Sequence, residues 1–85
     1  MHVTLYARPG CHLCDDLKTD LAALQTEIAF VLTERNIDDD PADYARFQYL
    51  IPVLDIEGGP LLFPPHHGDL VAAALHEAAN HPHDH

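Results

Sequence analysis

Apolar and polar residues alternate from His2 to Ala7, with Val3, Leu5 and Ala7 on one face and Thr4 and Tyr6 on the other. A period of two predicts a strand. Arg8-Pro9-Gly10 breaks it. From there the period lengthens: Leu13, Leu17, Leu21, Leu24 and Ile28 follow at spacings of four, four, three and four. That is one stripe of an amphipathic helix. Residues 28–32, Ile-Ala-Phe-Val-Leu, form a short apolar run that predicts a second strand, buried on both faces. Strand, helix and strand make a βαβ unit, whose strands run parallel with a right-handed crossover.

Polar residues then dominate until Asp40-Pro41. Aspartate is a good helix cap, and proline suits the first helical position because its missing N–H is not needed there. A short helix is predicted over residues 41–49, with Asp43 in its first turn favouring the positive end of the dipole. Residues 53–56 predict a third strand and 60–63 a fourth. The Gly58-Gly59 turn between them makes the pair an antiparallel hairpin. After Pro64-Pro65-His66-His67, Asp69 is expected to cap a last helix with Leu70, Val71, Ala74, Leu75 and Ala78 on its apolar side. The order β-α-β-α-β-β-α predicts an α/β fold: a four-stranded mixed sheet flanked by three helices. Residues 1–79 form the expected domain, and 80–85 a flexible His-rich tail.

Composition narrows the function classes. A chain of 85 residues, 47% of them apolar, is one small domain. No apolar run reaches the length of a membrane span, and the first residues lack the pattern of a secretion signal. The expected location is therefore cytoplasmic, where a permanent disulfide is unusual. Fourteen acidic residues face four Lys and Arg. That excess argues against nucleic acid and membrane surfaces as partners. A monomer is expected.

The candidate chemistry lies in Cys11-His12-Leu13-Cys14, which holds both cysteines of the chain at the predicted strand-to-helix junction. Unpaired N–H groups at a helix start stabilise a thiolate and lower its pKa. Cys11 falls at the cap and is expected to be exposed; Cys14 falls in the first turn and is expected to be buried. The pair suits a cycle in which Cys11 attacks a disulfide and Cys14 resolves the mixed disulfide. Arg8 and protonated His12 would assist the thiolate, whereas Asp15 and Asp16 would oppose it. The alternative is a module that uses the same cysteines to hold a metal or an iron–sulfur cluster. A structural zinc site normally draws on four ligands, and only one cysteine pair is present.

Taken together, residues 5–17 (LYARPGCHLCDDL), the later Asn36-Ile37-Asp38-Asp39-Asp40-Pro41 and Ile51-Pro52-Val53 resemble the glutaredoxins of the thioredoxin superfamily. The resemblance is strongest to a group of short bacterial glutaredoxin-like proteins, and it covers residues 2–78. It implies a thioredoxin-like fold, Cys11 as the attacking thiolate and Cys14 as the resolving thiol. It also implies that Pro52 is a cis-proline against the cysteine pair, that Ile51 offers backbone hydrogen bonds to a bound strand, and that Arg8 is the basic residue preceding the motif. His12, within the motif, is a further substrate-contact candidate. The implied partner is a disulfide-containing protein or a glutathione mixed disulfide. No cofactor is expected to be tightly bound, and glutathione is the implied reductant.

Three departures bear on glutathione. The motif is Cys-His-Leu-Cys rather than Cys-Pro-Tyr-Cys, Leu50-Ile51-Pro52 replaces Thr-Val-Pro, and only Gly68-Asp69 stands where a Gly-Gly turn and an acidic residue are usual. Eight histidines are many for this length. His66 and His67 are expected near the active-site end of the sheet, and His81, His83 and His85 form a tract of a kind that can chelate metals.

Overall fold

The computed structural model describes residues 1–80. The elements are β1 (His2–Ala7), α1 (His12–Leu24), β2 (Val31–Asn36), a 3-10 turn (Ile37–Asp39), α2 (Pro41–Phe47), β3 (Val53–Ile56), β4 (Leu61–Leu62) and α3 (Gly68–Asn80). The sheet order is β2-β1-β3-β4. β1 pairs with β2 in parallel, with Leu5 opposite Glu34, and with β3 in antiparallel fashion, with Leu5 opposite Leu54. β3 and β4 form the expected antiparallel hairpin. Its turn uses Gly58 at φ 78°, in the left-handed region that glycine enters without steric cost.

The alternation of β1 divides the core. Val3, Leu5 and Ala7 bury with Leu54 and Ile56 against Leu17 and Leu21 of α1 and Val71 and Leu75 of α3. Those two helices therefore cover one face. On the other face Ile37, Phe47 and Val53 pack together with Tyr6, whose ring lies 4.7 Å from that of Phe47. Burial of these side chains, each contributing about 1.5–3 kcal/mol, drives both layers together.

Several expectations shift. β2 begins three residues later than the apolar run suggested and is not buried on both faces; it is the sheet's edge, and only Leu32 and Asn36 are even partly covered. Ile28 and Phe30 are buried, but in the connection before the strand. Ile28 also lies beyond the last turn of α1, and Leu13 at the start of the stripe is 62% exposed, so α1 buries Cys14, Leu17 and Leu21 instead. α2 ends at Phe47 and β4 shortens to two residues. α2 does start as read: Asp40 accepts from the N–H groups of Ala42 and Asp43, with Pro41 at the first helical position. α3 opens one residue before Asp69, which lies inside the first turn rather than at the cap, and Leu70 points outward. Asn80, placed in the tail by sequence, is helical. The histidines at 81, 83 and 85 lie outside the described residues.

Candidate active site at the Cys-x-x-Cys pair

β1 ends at Ala7, and the chain must turn sharply to enter α1. Gly10, at φ 80°, makes that turn, and a side chain there would be strained even though the space is open. Cys11 follows as the N-cap of α1 in extended conformation. Its Sγ accepts a hydrogen bond from the backbone N–H of Cys14 at 3.1 Å. A sulfur thus takes the place usually filled by a serine or aspartate oxygen. Cys11 and Cys14 are joined as a disulfide, with their Cα atoms 5.2 Å apart. Cys11 is half-buried rather than exposed, and Cys14 is buried among the α1 and β1 core residues.

Charge around the pair is arranged by side. Asp15 lines a pocket with Arg8, Pro9, Lys18 and Glu34, whereas Asp16 lines a groove on the other flank of α1 with Asp20. Arg8 is turned away from service as a free cation: its guanidinium pairs with Asp38 at 3.2 Å and lies 5.7 Å from the Tyr44 ring centre. His12 is exposed in the first turn of α1. Gly68 and Asp69 are also exposed, and a Cβ at Gly68 would meet nothing, so glycine is not required there.

Ile51 and Pro52 precede β3. The peptide bond between them is cis, as is Pro64–Pro65. Pro52 is fully buried, and Ile51 contacts both halves of the core. His66, expected near the active-site end of the sheet, donates from Nε2 to the Pro52 carbonyl oxygen at 2.6 Å. Among the described residues, no three His, Cys, Asp or Glu side chains gather as a metal site. No helix among them is long and apolar enough to cross a membrane.

The glutaredoxin-like domain (DUF836) family model matches residues 2–76. The chain belongs to this glutaredoxin-like family. A crystal structure of the target protein XcR50 from X. campestris is 33% identical with a TM-score of 0.75, covering 88% of this chain and 96% of that one. A solution structure of protein Ne2328 from Nitrosomonas europaea is 29% identical with a TM-score of 0.73, covering 87% and 89% respectively. No curated protein matches. The glutaredoxin-like fold is therefore thioredoxin-like, with its cysteine pair at disulfide distance.

Proposed function

We propose that this glutaredoxin-like protein is a thiol–disulfide oxidoreductase that cycles Cys11 and Cys14 between dithiol and disulfide. The observation that carries this reading is the Cys14 N–H aimed at Cys11 Sγ from the first turn of α1. In the reduced state the same N–H and the helix dipole stabilise negative charge on that sulfur. Cys11 thiolate attacks one sulfur of a substrate disulfide, and the other substrate sulfur leaves as thiolate. Cys14 loses its proton and attacks Cys11 Sγ, forming the Cys11–Cys14 bond and releasing the second substrate thiol. Two electrons pass from the pair to the substrate. A thiol reductant such as glutathione returns them by the same steps in reverse.

The surroundings support these assignments. Cys14 is shielded in the core, so an incoming disulfide meets Cys11. The Ile51 backbone, ahead of buried Pro52, is assigned to hold an extended partner segment. Arg8 and His12 are assigned to the rim of that contact. A cytoplasmic setting, where thiols are kept reduced, suits the dithiol half of the cycle.

The test is a redox titration of the pair with glutathione, read by mass, alongside reduction of the neutral hydroxyethyl disulfide. Wild type is expected to interconvert between two forms differing by two hydrogens, and to turn over. Full activity in Cys11→Ser would overturn the reading.

A further inference from the structure

The groove beside the cysteine pair is apolar at its floor and acidic at its rim. It encloses about 430 Å³ between α1 and the segment that leads into α3. Leu13 stands at its mouth, between the two cysteines in sequence and 62% exposed. Leu17 and Pro52 close the bottom, both buried. Pro64 and Pro65 form the far wall. Asp16 and Asp20, one helical turn apart and both exposed, line the α1 side. Among the described residues neither carboxylate takes part in an ion pair.

The cations are elsewhere. The chain has four Lys and Arg residues. Arg8 pairs with Asp38, Lys18 with Glu34, and Arg35 with Asp40 and Asp43. Arg46 stacks over the Phe47 ring at 4.5 Å. None of them lines the groove. His66 does, but its Nε2 is committed to the Pro52 carbonyl. An anion such as glutathione finds no free positive side chain here. A positively charged side chain finds two carboxylates above an apolar floor.

We propose that this groove docks a basic, apolar segment flanking the disulfide of a protein partner. The proposal rests on the oxidoreductase reading, since it names that site's substrate class. A segment that presents its cysteine to Cys11 places a neighbouring apolar side chain against Leu13 and Leu17. A lysine or arginine beyond it reaches Asp16 and Asp20. Such contacts are solvent-exposed, so they steer and select more than they tighten, and salt weakens them.

The test uses the isotope-labelled full chain and two cysteine-free peptides, acetyl-Lys-Leu-Ser-Leu-Lys-amide and its Glu-Leu-Ser-Leu-Glu counterpart. The basic peptide is expected to shift the amide signals of Leu13, Asp16, Asp20 and His66. The acidic peptide and glutathione should bind there roughly tenfold more weakly, the scale of two exposed ion pairs. Asp20→Asn should narrow the difference between the peptides, and Asp15→Asn, on the opposite flank, should not. Equal binding of both peptides, glutathione filling the groove, or the basic peptide mapping to the Arg8 and Lys18 side would each overturn the proposal. Because the peptides carry no sulfur, the titration is independent of redox turnover. Groove binding without reduction of hydroxyethyl disulfide would sink the oxidoreductase reading and leave the docking surface standing.

Discussion

His66 Nε2 and the Pro52 carbonyl oxygen, 14 residues apart in sequence, meet at 2.6 Å. This contact fastens the segment ahead of α3 to the residue just before β3, and so ties the far wall of the groove to its floor. Replacing His66 with Ala leaves a carbonyl without its donor. The expected loss is about 1 kcal/mol of unfolding free energy. Urea denaturation measures it, and an unchanged midpoint would show that the bond contributes nothing net.

The two cysteines should fail differently. Cys14→Ser leaves the attacking sulfur but removes the resolving one, so a covalent adduct on Cys11 should accumulate with a disulfide substrate. Cys11→Ser should give no adduct and no turnover. Intact-mass measurement separates the two outcomes, and an adduct on Cys14 in the Cys11→Ser protein would reverse the assigned roles.

Leu21 and Leu13 belong to one sequence stripe but not to one environment. Leu21 is fully buried, whereas Leu13 is 62% exposed. Leu21→Ala should cost about 2–5 kcal/mol through lost contacts and a residual cavity. Leu13→Ala should stay within roughly 0.5 kcal/mol. Comparable losses in paired denaturation curves would contradict this division of the helix.

Asp40 accepts from the Ala42 N–H at 2.8 Å and the Asp43 N–H at 3.3 Å. Its carboxylate also reaches Arg35 at 3.3 Å. Asp40→Ala should destabilise by about 1 kcal/mol, the usual cost of a lost cap. Asp40→Asn, which keeps the capping oxygen, should recover most of it. Equal losses in both variants would assign the effect to the ion pair instead.

The start of α2 was legible because a cap and a first-position proline are local signals, decided within a few residues. So was β1, whose period of two survives because its two faces meet two different helical layers. β2 was misplaced for a reason that sequence alone hides. Ile28 and Phe30 are buried by the way the chain returns from α1, while Val31–Asn36 lies at the sheet's edge. Burial and strand pairing had separated, and an apolar run reports only burial. At the site, the cysteine pair and its helix-start setting were readable from spacing. The groove was not, because its walls are α1 and a proline-rich segment over forty residues later in the chain, brought together only by the sheet. Nor could spacing reveal that Arg8 turns to Asp38.

The sheet's two edges differ in kind but have the same effect. β2 carries Glu34 and Arg35, both tied into ion pairs, and β4 is only two residues long. Charge on one side and brevity on the other deny an incoming chain a long ladder of backbone hydrogen bonds. Neither edge therefore favours strand addition, and the proposed partner contact falls to side chains and a few peptide groups near the cysteines. Under the proposed oxidoreductase function weak retention is an asset: the encounter ends soon after the sulfur chemistry does, and the surface is clear for the next one.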